Sequence, residues 1–87
     1  MTKIVHCKRE PYDVYIGRPS KWGNPFIIGK YTREEAISKY EAYIMSHPTL
    51  IDQLPELEGK VLGCWCRPKA CHGDILVRMI EDEIWLK

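Results

Sequence analysis

The 87-residue sequence predicts an α/β fold: one small domain over residues 1–87, with a short mixed sheet and about three helices. Two observations carry that expectation. Short apolar runs bounded by Gly or Pro lie near the start and in the last third of the chain. Between and after them, apolar residues recur at helical spacing behind residues able to cap a helix. The resulting order, β-β-loop-α-α-β-α, is that of an α/β domain.

Residues 3–8, Lys-Ile-Val-His-Cys-Lys, form the first expected strand, broken at Glu10-Pro11. Asp13-Val-Tyr-Ile-Gly17 forms the second. The segment Gly17-Arg-Pro-Ser-Lys-Trp-Gly-Asn-Pro-Phe26 is too rich in Gly, Pro, Ser and Asn for a regular element and reads as a loop. Phe26-Ile-Ile28 reads as a short strand or a core anchor. Thr32-Arg-Glu-Glu35 has capping-box spacing, and Ala36, Ile37, Tyr40 and Ile44 follow at helical intervals. That helix spans about Arg33 to Ser46 and stops before Pro48. Leu50, Ile51, Leu54 and Leu57 mark a short second helix broken at Pro55. A buried strand runs from Lys60 through Cys66, with Cys64 and Cys66 on one face and Trp65 on the other. The last helix spans about Asp74 to Ile84, with Asp74 as its cap.

Bulk composition narrows the function. The net charge of +1 argues against a protein built to grip long nucleic acid. The charge is uneven, with six Lys/Arg against two acids in residues 1–30. A local basic pocket for a small anion fits that distribution. No apolar stretch approaches the roughly 20 residues of a membrane span, and no secretory signal is recognisable. These features imply a soluble cytoplasmic protein with no membrane partner. A chain this short gains stability by self-association, so a homo-oligomer, a dimer or a tetramer, is expected.

Two segments carry the chemistry. In the loop, Arg18 and Lys21 suit phosphate, Trp22 suits base stacking, and Ser20 and Asn24 supply neutral hydrogen bonds. The plain alternative is a packed loop with Trp22 in the core. In the turn after the last strand, Arg67, His72, Gly73 and Asp74 gather where open α/β sheets bind ligands, at a strand's carboxyl end beside a helix start. Gly73 permits close backbone approach, His72 stacks or donates, and Asp74 accepts from a base or sugar. The plain alternative there is capping by Asp74 with His72 exposed.

Cys64, Cys66, Cys71 and His72 offer four soft ligands for zinc. One residue between Cys64 and Cys66, and none between Cys71 and His72, is poor spacing for chelation. The reading is therefore no cofactor, with Cys64 and Cys66 as small core residues. Cys71 as a thiol nucleophile lacks an assignable orienting partner.

The segments Ile16-Gly-Arg-Pro-Ser-Lys-Trp-Gly-Asn-Pro-Phe26 and Leu62-Gly-Cys-Trp-Cys-Arg-Pro…Cys-His-Gly-Asp-Ile-Leu76 together resemble a small-domain family of unknown function in phages and bacteria. The resemblance takes in nearly the whole chain. The chain is also similar to the phage anti-CBASS sponges, which sequester cyclic-nucleotide immune signals as small homo-oligomers. That similarity implies binding of a small cyclic nucleotide without turnover in the host cytoplasm. A nucleotide-processing enzyme using Asp74 or Cys71, and a zinc-stabilised interaction module, are the alternatives.

Overall fold

A computed structural model describes residues 2–26, 29–65 and 71–86. Three strands form its sheet: β1 (Lys3–His6), β2 (Val14–Tyr15) and β3 (Val61–Cys64). Their order is β1-β3-β2, and β3 pairs in parallel with both neighbours. The α/β class stands, but the described sheet is parallel rather than mixed. Register runs from Lys3 opposite Val61 to His6 opposite Cys64, and Val14 faces Leu62 on the other side.

Strand ends have local causes. His6 terminates β1 earlier than Lys8 because its ring accepts from the Lys8 amide at 3.1 Å. Its carbonyl also accepts from the Arg9 and Glu10 amides, which curls the chain. Asp13 seats β2 by accepting the Val61 amide proton on its carboxylate at 2.8 Å. Gly63 is needed in β3 because the Tyr12 ring lies over it. A Cβ there would approach the ring to 2.6 Å.

Helix α1 (Arg33–Met45) begins where the capping box places it. Thr32 Oγ1 accepts from the Glu35 amide at 3.1 Å, and Glu35 Oε1 accepts from the Thr32 amide at 2.9 Å. Those bonds hold the Glu35 carboxyl below its ordinary value. Helix α2 (Pro48–Gln53) starts on Pro48, whose fixed φ and missing N–H suit a first helical turn. A 3₁₀ turn over Leu54–Leu57 then absorbs Pro55.

Helix α3 (His72–Glu81) departs from expectation at both ends. It starts before Asp74, which is its third residue rather than its cap. Cys71 is the cap. It ends at Glu81, ahead of a short 3₁₀ turn at Ile84–Leu86. Gly73 lets this helix settle on the sheet, since a Cβ there would meet Ile4 and Ile16 methyls at 2.8 Å.

The core joins Ile16, Leu62 and Leu76 with Tyr40 and Ile44 of α1 and with Leu54 and Leu57, all fully buried. Each fully buried Leu or Ile contributes roughly 1.5–3 kcal/mol of transfer free energy. No helix among the described residues is long and apolar enough to cross a membrane.

Candidate functional site

The loop over residues 17–26 folds on itself before it meets the rest of the chain. Ser20 and Gly23 amides donate to the Gly17 and Ser20 carbonyls, giving two successive turns. Asn24 Oδ1 accepts from the Phe26 amide at 2.9 Å, and its Nδ2 donates to Ala36 O of α1 at 3.2 Å. Tyr40 anchors the middle of the loop. Its hydroxyl donates to Trp22 O at 2.7 Å, and burial raises its own pKa.

A cavity of ≈ 180 Å³ opens between this loop, the first turn of α1, the end of β3 and the start of α3. The loop contributes Gly17, Arg18, Asn24 and Phe26, and α1 contributes Ala36 and Ile37. The strand end contributes Cys64 and Trp65, and the helix start contributes Cys71 and His72. The loop, the end of β3 and the start of α3 thus converge at the carboxyl end of the central strand. The volume suits one flat ring system, since pockets for whole drug-sized ligands run about 300–1,000 Å³.

His72 is the main buried polar group in the wall. Its Nε2 lies 2.7 Å from Ile16 O, and a carbonyl only accepts, so Nε2 carries the proton. Nδ1 is then the lone-pair nitrogen, and it makes no hydrogen bond among the described residues. Burial pushes the pKa of His72 down, and the nearby Arg18 charge adds to that. The Ile16 bond and Asp74 oppose the shift without reversing it. A neutral imidazole results, packed edge-on against Tyr40 at 4.9 Å between centroids.

Arg18 is exposed at the pocket, and its guanidinium forms no ion pair or hydrogen bond among the described residues. Trp65 is the other prominent wall group. It is 55% exposed, so part of its ring is open to solvent. Its Nε1 donates to the Tyr15 hydroxyl at 2.7 Å, which donates onward to Arg18 O at 3.2 Å. Lys8 Nζ sits 5.4 Å from its ring centroid. The indole is therefore held in place while remaining accessible.

Of the residues expected at a site, Arg18, Asn24 and His72 meet at this cavity. Trp22 does not offer a stacking face. It is 2% exposed, and the packed-loop alternative describes it. Lys21 is directed elsewhere, pairing with Glu56 at 2.6 Å and hydrogen-bonding Gln53, which ties the loop to the 3₁₀ turn. Ser20 Oγ is buried without a hydrogen-bond partner among the described residues and is not in the wall. Gly73 serves helix packing. Asp74 accepts from the Cys71 amide at 3.1 Å, a capping role at the helix start. Arg67 and Cys66 lie outside the described residues, as do Ile27 and Ile28.

Trp65, Phe26, Cys64 and Cys71 are wall residues that the sequence reading left out of the site. Trp65 carried a signal, since strand alternation put it opposite Cys64 at the strand's end. Among the described residues, no group of three or more His, Cys, Asp or Glu could hold a metal ion.

A small parallel α/β domain with a compact pocket at its central strand's carboxyl end is the class that fold and site define. The chain belongs to the family described as Domain of unknown function (DUF4326), whose model matches residues 2–82. It is 35% identical to an uncharacterized 12.4 kDa protein in the nrdA-td intergenic region of Enterobacteria phage T4, covering 93% of this chain and 79% of that protein. It is 38% identical to an uncharacterized protein of Acanthamoeba polyphaga mimivirus, covering 79% of this chain and 67% of that one. This is a phage-type protein family. No solved structure matches.

Proposed function

We propose that this pocket binds a phosphate-bearing nucleotide and that the protein sequesters it in the host cytoplasm without cleaving it, as a cyclic-nucleotide sponge. One observation carries the reading. An arginine with no described internal partner stands beside a neutral buried histidine and an accessible indole, all on one small cavity. Arg18 supplies charge for phosphate, Trp65 and Phe26 supply ring faces, and His72 Nδ1 accepts from a base or sugar donor. The cavity admits one base, so a cyclic dinucleotide such as 3′,3′-cGAMP needs two pockets. Two copies of the chain about a two-fold axis provide them, and a symmetric ligand matches that symmetry.

The neutral His72 also supports a second reading, a nucleotide-processing enzyme with Nδ1 as general base. Calorimetry with a 3′,3′-linked cyclic dinucleotide and with mononucleotides, followed by chromatography of the recovered ligand, separates the two. The sponge reading expects tight binding and unchanged ligand. It also expects Arg18→Ala to weaken binding by about 10- to 100-fold, since hydrogen bonds to charged groups contribute roughly 1.5–3 kcal/mol. Product formation moves the assignment to the enzyme, and absence of binding removes both.

A further inference from the structure

The cavity wall holds two sulfurs in contact. Cys64 Sγ, at the end of β3, lies 3.3 Å from Cys71 Sγ, the cap of α3. Both side chains are almost fully buried, at 1% and 2% exposure, and both line the pocket. The fold brings Cys64 and Cys71, seven residues apart in sequence, together where the end of β3 meets the cap of α3. A second observation concerns Cys71 alone. Its sulfur accepts from the Gly73 amide at 3.3 Å, at the start of a helix, where amide donors stabilise negative charge on sulfur.

We propose that Cys64 and Cys71 form a reactive dithiol that a hydroperoxide, entering through the pocket, converts to a disulfide. Cys71 gives up its thiol proton and its sulfur attacks the terminal oxygen of the peroxide. The O–O bond breaks, the leaving alkoxide or hydroxide takes up that proton and departs as alcohol or water, and Cys71 becomes a sulfenic acid. The Cys64 sulfur then displaces the hydroxyl from Cys71. The S–O bond breaks, the S–S bond forms, and water leaves with the Cys64 proton. Two thiols lose two electrons, and the peroxide gains them. The sulfurs need to close to only about 2.05 Å, a small movement from contact. The bridge ties the end of the central strand to the first turn of α3 and resets one wall of the pocket. It stands whether or not the pocket takes a nucleotide.

The experiment uses the full reduced chain treated with hydrogen peroxide. Titratable thiols should fall from four per chain to two. The intact mass should drop by about 2 Da, one disulfide's worth of hydrogen. Trypsin cleaves after Lys60 and Lys69 and spares the Arg67-Pro68 bond, so the bridge should link peptide 61–69 to peptide 70–78. That first peptide holds both Cys64 and Cys66, so variants decide between them. Cys66→Ser should keep the link and Cys64→Ser should lose it. If Cys64→Ser does not fold, fragment ions of the parent's linked peptide locate the bridged sulfur directly. A bridge from Cys66 to Cys71, cross-links through Cys7, or four thiols surviving peroxide would overturn the proposal.

Discussion

Helices α1 and α3 start with the same device built from different atoms. At α1, Thr32 and Glu35 exchange two bonds through oxygen, out in solvent. At α3, Cys71 and Asp74 do the equivalent through a thiol, buried at 2% exposure in a pocket wall. Sulfur is a weaker acceptor than a hydroxyl, and Ser, Thr, Asp and Asn lead among N-caps. The first start is therefore explained by helix stability alone. The second is not, and the neighbours of its cap (Cys64, His72 and Arg18) are the groups with chemistry to offer. The two caps thus separate: only the second lies in the pocket wall, and α1 reaches that wall after its cap, at Ala36 and Ile37.

Matched substitutions test that separation, beginning with the second residue of each helix. Gly73→Val pushes new methyls into Ile4 and Ile16, already 2.8 Å from a bare Cβ. It should cost roughly 1–3 kcal/mol by overpacking in urea unfolding. Glu34→Val, at the equivalent exposed position of α1, should stay within about 0.5 kcal/mol. Equal costs would erase the distinction.

The caps come next. Thr32→Ala should cost about 1 kcal/mol, the usual loss for a hydroxyl cap. Cys71→Ser should leave stability within about 0.5 kcal/mol of the parent, because serine is itself a favoured cap. A large loss for Cys71→Ser would mean that sulfur packing, rather than capping, holds α3.

The smallest effect is a pH slope. His72 has its pKa lowered by burial, below the ordinary value of 6.5. Between those two values the unfolded chain holds a proton that the folded chain lacks, so stability rises with pH in that window. The contribution is complete above about 6.5 and is lost as pH falls toward the folded-state value. Denaturation midpoints of His72→Gln should show a shallower slope than the parent over that range. Identical slopes would place the imidazole in water.

Much of this was legible in the sequence, and the failures have physical causes. The first turn of α1 is a local motif, so Thr32 and Glu35 alone located it. The start of α3 was missed because cysteine is a rare cap and Asp74 is a common one. Two of the three tryptophans depart from their local pattern in opposite directions. Trp22 sits among Gly and Pro and reads as available, yet Tyr40, 18 residues away, closes over its backbone and draws the loop into the core. Trp65 sits in an apolar run and reads as buried, yet it projects past the strand's last pair. Exposure was set by long-range packing, which local pattern does not encode. The loop and the start of α3 stand out in the sequence because both are denser in polar groups than a turn requires, whereas their placement on one cavity follows from the fold.

The most direct measurement is a ligand titration followed by nuclear magnetic resonance on isotopically labelled protein, with a 3′,3′-linked cyclic dinucleotide as probe. Amides of the non-proline residues of 17–26, of Trp65 and of residues 71–74 should shift together, along with the His72 ring nitrogens. Amides of Glu81, Asp82 and Glu83, at the far end of α3 and outside the pocket wall, should stay in place as the built-in control. Shifts confined to the far end of α3, or none anywhere at saturating ligand, would contradict the assignment of this pocket as the binding site.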